Sequence, residues 1–304
     1  TIAYARQPLG ISTDFEMSAY FALVGDVSAI QLVNQAQLDY VKNFIATSTD
    51  ATLSSYKNIP VISCSAPFKA GRNGPSDFTD VASGATPAAP VGLQVRNPGD
   101  LYLYSNNNLQ AVKIKVADLK AWLETSARQF AQIDPSATAE QDLVPSYGTI
   151  YNYDVFYAEN NALTYQIDVT KKPGSRIVNL TYKGAPVADG DDFIVATNDY
   201  RAGGGGAVPG IDGSKTIIKS PDANQAVVSN YLASLSTKGG KVTLAANGSA
   251  RSWSFVKTAT AGPVILRSAP GHLALAQGSG IASVAAEGGL DASGFAKYRI
   301  DLSK

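Results

Sequence analysis

The chain has little of what most hydrolytic centres are built from. One histidine, His272, and one cysteine, Cys64, stand among 304 residues. A two-metal phosphoesterase centre needs several imidazoles and carboxylates, because each ion must be ligated and bridged. One imidazole falls short of that set, which argues against a dinuclear centre built from this chain. His272 falls in the turn Pro270-Gly271-His272-Leu273 and reads as a surface residue rather than a ligand. A lone cysteine excludes an internal disulfide. Cys64 sits in the apolar run Pro60-Val61-Ile62-Ser63-Cys64-Ser65 with no histidine near it in sequence, and reads as a buried, inert thiol. Excess charge is missing too: 25 Lys and Arg balance 25 Asp and Glu. A broad surface for polymeric nucleic acid needs a basic surplus, so that partner is not expected. No apolar run approaches the ~20 residues of a membrane span. Hydrophobic residues make up 45% and charged residues 16%, the composition of a globular chain with a substantial core.

What is present reads as helices interspersed with strands. The chain opens Thr1-Ile2-Ala3-Tyr4, without an initiator Met or a secretory signal, as a mature product or an excised piece would. From Asp14 to Ala46 the apolar spacing predicts helix, with Asp14 as N-cap and a break at Gly25-Asp26-Val27-Ser28. The second of these helices is expected to bury one face and expose Gln31, Asn34, Gln35 and Lys42. Strands are predicted at 60–66, 100–103, 112–116, 151–157, 165–169, 176–182 and 192–196. A helix over 117–130 carries Leu119, Trp122, Leu123, Ala127 and Phe130 on one face. Another is expected over 221–236, with Ser220 as N-cap and Pro221 in the first turn. Such an order fits a mixed α/β or α+β layered domain rather than strict βαβ alternation.

Three segments carry candidate ligand chemistry. The apolar strand Phe193-Ile194-Val195-Ala196 leads into Thr197-Asn198-Asp199-Tyr200-Arg201-Ala202 and then four glycines, 203–206. Glycines let backbone N–H groups and a ligand approach closely, so Gly203 and Gly204 are candidate contacts. The run also reads as a flexible linker. It does not fit a dinucleotide-binding G-x-G-x-x-G, since no acidic partner strand follows. Tyr104 precedes the Asn-rich turn Ser105-Asn106-Asn107-Asn108 as Tyr200 precedes the glycines. Two aromatics on neighbouring strand ends can hold a planar base between them, worth ~1–3 kcal/mol per ring. Asn106 is then placed to bond a base edge. A third loop, Pro67 to Pro75, brings Lys69 and Arg72 among glycines, suited to an anion or simply solvated.

Several segments together resemble the C-terminal domain of 2',3'-cyclic-nucleotide 2'-phosphodiesterase/3'-nucleotidases, within the 5'-nucleotidase family. They are APFKAGR at 66–72, DLYLYSN at 100–106, WLETSA at 122–127, YNYDV at 151–155, YQIDV at 165–169 and ATNDYRA at 196–202. The resemblance runs over nearly the whole chain to the IDLSK ending at 300–304. It implies a 5'-nucleotidase C-terminal-domain fold, with a helical linker and first helices over residues 1–50. The substrate-binding domain would follow over 51–304, of which 240–304 is a C-terminal extension. It implies two aromatics sandwiching the base, which fall on Tyr104 and Tyr200, and a base-contacting Asn matching Asn106. Arg72, with Lys69 beside it, is the best match for the phosphate-side arginines. The acid that binds ribose in 5'-nucleotidase relatives, six positions past the second aromatic, is here Gly206, so ribose recognition must differ. An Asn is also inserted after Tyr104.

The resemblance further implies that no cofactor is bound by these residues. A divalent metal pair is expected in an N-terminal catalytic domain outside this chain. Partners are that domain, nucleosides, 3'-nucleotides and 2',3'-cyclic nucleotides. A periplasmic setting is expected, with the signal peptide upstream. A 5'-nucleotidase or UDP-sugar hydrolase, a free-standing nucleotide-binding module, and a ligand-free interaction domain stay open beside it.

Overall fold

The computed structural model describes residues 2–237, 240–278, 281 and 283–304. At its centre lies a five-stranded mixed sheet in the order Thr216–Ala223, Asn108–Lys115, Asp192–Asn198, Val61–Ser65, Val155–Tyr157. The middle strand runs parallel to Val61–Ser65 and antiparallel to Asn108–Lys115. Its Phe193 and Val195 enter one apolar cluster while Ile194 and Ala196 enter another. Both faces of the sheet are therefore covered, which is why this strand reads as a continuous apolar run instead of alternating. Helices Ser28–Thr47 and Asn224–Thr237 contribute Leu32, Val33, Ala36, Val227, Val228 and Leu232 to one cluster. The helix Val116–Ala127 contributes Leu119, Trp122 and Leu123 to the other. Among the described residues, two four-stranded and two two-stranded sheets complete the mixed helix-and-sheet architecture.

Local signals misled the sequence reading where distant partners took over. Residues 14–24 are turns and the two-residue strand Met17–Ser18, not a helix. Asp14 does not cap a helix of its own; its carboxylate accepts the Leu244 N–H at 3.0 Å. In Ser28–Thr47, Gln31, Asn34 and Gln35 are buried, and of the four expected on the solvent face only Lys42 is exposed. Asn34 donates to the Val155 carbonyl at 3.1 Å and Gln37 to the Cys64 carbonyl at 3.0 Å. Their amides satisfy groups at the sheet, so burial costs them little. This helix is thus part of the core.

Residues 97–101 form a short helix started by Pro98, in place of a strand at 100–103, so Tyr104 lies in a turn. The expected helix start at Pro221 is instead the edge strand Thr216–Ala223, and the helix begins at Asn224. An edge strand tolerates proline because one side of its backbone needs no partner. Ser220 meets the Tyr40 hydroxyl at 2.7 Å rather than capping. Strands Val155–Tyr157 and Leu163–Ile167, adjacent in sequence, join different sheets. From the tail, Trp253–Phe255 pairs with Leu163–Ile167, and Val264–Ser268 pairs with Ala296–Ile300. Cys64 is buried, and burial pushes its thiol well up. His272 is half-buried and stacked on Tyr20 at 3.7 Å between ring centroids, rather than free on the surface.

Candidate functional site

The topology gathers four chain segments at one end of the central sheet. Strands Val61–Ser65 and Asp192–Asn198 are parallel and end there; Asn108–Lys115 and Val155–Tyr157 run the opposite way and begin there. Asn198 sits opposite Leu109, so the residues just past one strand meet those just before the other. Between these loops lies a cavity of about 590 Å³. That volume falls in the range of small-molecule pockets.

Four residues singled out from sequence line this cavity: Arg72, Tyr104, Asn106 and Tyr200. Tyr200 is 51% exposed and lines the cavity. Tyr104 is half-buried, held edge-on by Phe68 at 5.1 Å and 84°, and Phe68 lines the cavity as well. The Arg72 guanidinium sits 4.8 Å from the centroid of the Tyr151 ring, a cation–π distance. Lys69 is half-buried in the same loop as Arg72 but does not line the cavity.

Gly203 and Gly204 do not line it either. Their N–H groups are spent within the turn: Gly203 donates to the Asp199 carbonyl at 2.9 Å and Gly204 to the Arg201 carbonyl at 3.1 Å. The run works by bulk instead. A Cβ on Gly205 would collide with the Tyr200 ring, and one on Gly206 would collide with Nη1 of Arg201. Gly206 also has φ of +83°, a conformation glycine adopts at no steric cost. The glycines therefore let an aromatic ring and a guanidinium lie close against backbone.

That guanidinium belongs to a buried ion pair that sequence reasoning missed. Nε of Arg201 lies 2.7 Å from Asp154, and both side chains are only 4% exposed. Nη2 donates to the other Asp154 oxygen at 3.0 Å and to the Tyr151 carbonyl at 2.9 Å, and Nη1 donates to the Gly205 carbonyl at 2.6 Å. Asp154 also accepts from the Trp122 indole N–H at 2.7 Å. Burial opposes the charge on Arg201, but the Asp154 carboxylate beside it outweighs this and holds its pKa above the ordinary value. One side chain thus bolts the loop under Tyr200 to the wall carrying Tyr151. Asn198 adds a second tie: its carbonyl oxygen caps the short helix Asp199–Ala202 at the Arg201 N–H, 2.8 Å away. Its amide donates to the Tyr102 hydroxyl at 2.8 Å. Asp154 and Arg201 lie 47 residues apart in sequence. Only the charged residue directly after Tyr200 hinted that something there needed neutralising.

Residues 93–212 match the family model described as 5'-nucleotidase, C-terminal domain, and this span holds Tyr104, Asn106, Asp154, Tyr200 and Arg201. This segment belongs to the 5'-nucleotidase C-terminal-domain family. A curated relative named 2',3'-cyclic-nucleotide 2'-phosphodiesterase/3'-nucleotidase, from Haemophilus influenzae, is 37% identical over 100% of this chain and 46% of its own length. A trifunctional nucleotide phosphoesterase from Bacillus subtilis is 38% identical over 76% of this chain and 16% of its own. The chain therefore spans less than half the length of these relatives. Among solved structures, a Staphylococcus aureus protein assigned as a 5'-nucleotidase shares the fold at TM-score 0.58 and 17% identity, over 84% of this chain and 42% of that one. Among the described residues, no group of three or more His, Cys, Asp or Glu gathers as a metal site. No helix among the described residues is long and apolar enough to cross a membrane.

Proposed function

We propose that this chain is the nucleoside-holding part of a 2',3'-cyclic-nucleotide 2'-phosphodiesterase/3'-nucleotidase. The base lies between the rings of Tyr104 and Tyr200, Asn106 bonds its edge, and Arg72 faces the phosphate. Ester cleavage belongs to a catalytic domain outside these residues, which carries the divalent metals, in a periplasmic enzyme. The contribution of this part is positioning: it fixes the reacting ester relative to that domain and lowers the entropic cost of reaction. The observation that carries the reading is the convergence of Arg72, Tyr104, Asn106 and Tyr200 on one cavity of about 590 Å³. The names of the full-span relatives support it.

Two assays test it. The isolated chain is expected to leave 2',3'-cyclic AMP intact with added divalent metal, whereas turnover would overturn the division of labour. In the complete enzyme, Tyr200→Ala is expected to raise KM about 5- to 150-fold, the equivalent of one lost stacking partner. Unchanged kinetics would remove Tyr200 from the site.

A further inference from the structure

The polar side chains around the cavity divide into two groups. Asp154, Arg201 and Asn198 are consumed by one another, by Trp122 and Tyr102, and by backbone carbonyls. Asp199 is not. One of its oxygens accepts the Tyr200 N–H at 2.8 Å, and the other meets no donor or cation among the described residues. It is the cavity's one carboxylate left without a compensating charge. Gly206 cannot take over the role of a sugar-binding acid, because the space a side chain would need there is filled by Arg201.

We propose that Asp199 reads the sugar, its free oxygen accepting a hydrogen bond from the ribose 5'-hydroxyl. The inference rests on the function proposed above and extends it. A 2',3'-cyclic nucleotide has both secondary hydroxyls tied up in the ester, and a 3'-nucleotide has one. The 5'-hydroxyl is the primary donor common to both substrates and to the free nucleoside. The residue adjacent in sequence, Tyr200, carries the base platform, so base and sugar are read by neighbouring residues of one turn. A 5'-phosphate would set a second anion against the carboxylate. The same residue therefore selects for a free 5' end and against 5'-nucleotides.

Calorimetric titration of the 304-residue chain with adenosine, 5'-deoxyadenosine and 5'-AMP tests this, with Asp199→Asn and Tyr200→Ala beside the parent. Asparagine keeps the shape and the acceptor for the Tyr200 N–H. The parent is expected to bind adenosine at least about 10-fold more tightly than 5'-deoxyadenosine, as for a hydrogen bond to a charged group. In Asp199→Asn that ratio is expected to shrink at least about 3-fold, because the oxygen facing the hydroxyl becomes a neutral NH2 donor and the charge-assisted bond is lost, and 5'-AMP binding to strengthen. Because the ratio is read within each variant, partial unfolding affects both ligands alike. Equal binding of adenosine and 5'-deoxyadenosine by the parent, or an unaltered ratio in Asp199→Asn, overturns the assignment. Tyr200→Ala separates the two claims. If it binds adenosine like the parent, or the parent ignores adenosine at millimolar concentration, the nucleoside reading itself fails. If Tyr200→Ala loses adenosine while Asp199→Asn changes nothing, only the sugar assignment falls.

Discussion

Replacing Arg201 with Met should show how far the cavity depends on its buried ion pair. Methionine fills most of the volume but removes the charge and three hydrogen-bonded nitrogens. The Asp154 carboxylate, 4% exposed, keeps the Trp122 indole as a donor and loses its countercharge. Removing one partner of a buried pair costs ~3–5 kcal/mol, because the other charge stays desolvated. For a chain of this size that lowers Tm by about 6–10 °C, at ~2 °C per kcal/mol. The Gly205 and Tyr151 carbonyls also lose their donor, so the loop under Tyr200 loosens and nucleoside binding falls with it. Adding Asp154→Asn removes the stranded charge while keeping an acceptor for Trp122. The double variant is expected to regain about half or more of the lost stability, since deleting both charges of such a pair is often near neutral. Binding should not return with it, because the bolt is still missing. Denaturant unfolding and adenosine titration of all four proteins close the cycle. A single variant within about 1 kcal/mol of the parent, or a double variant no more stable than Arg201→Met, would refute the reasoning.

Other consequences are as direct. Gly205→Ala puts a methyl group where the Tyr200 ring lies, so adenosine binding should weaken severalfold while Tm changes little, Tyr200 being half exposed. Equal affinity would show the ring to be free of the loop. Asp26 is fully enclosed and its carboxyl is raised to about 7 by burial, against the pull of N–H donors from Ser252 and Trp253. The folded chain binds this proton more tightly than the unfolded chain, so the stability tied to it is complete below about pH 4 and is lost as pH rises to about 7. The difference is on the order of 4 kcal/mol at most. Unfolding midpoints between pH 5 and 8 should fall with pH in the parent and flatten in Asp26→Asn; parallel curves would contradict the assignment.

What sequence made legible was what neighbouring residues decide. The strand at Phe193–Ala196 and the helix around Trp122 were readable because four or more apolar residues in the right period leave few alternatives. Tyr104, Asn106, Tyr200 and Arg72 were readable through short motifs, and the fold brings them to one cavity. In sequence the glycine run suits either close-approach donors or a flexible linker, yet the N–H groups of Gly203, Gly204 and Gly205 close a turn and the missing side chains make room for Tyr200 and Arg201. The buried Gln31, Asn34 and Gln35 looked like a solvent face because their partners lie far along the chain, at Val155, Ala246 and Ala250. The Asp154–Arg201 pair was hidden for the same reason. Polar groups advertise solvent in a sequence and reveal their burial only once a partner is in place.

The measurement closest to the central claim is a crystal of this chain soaked with adenosine. The base should lie between the Tyr104 and Tyr200 rings, with Asn106 at its edge. Adenosine lodged elsewhere, for instance in the 800 Å³ cavity beside Lys57 and Tyr182, would contradict the account.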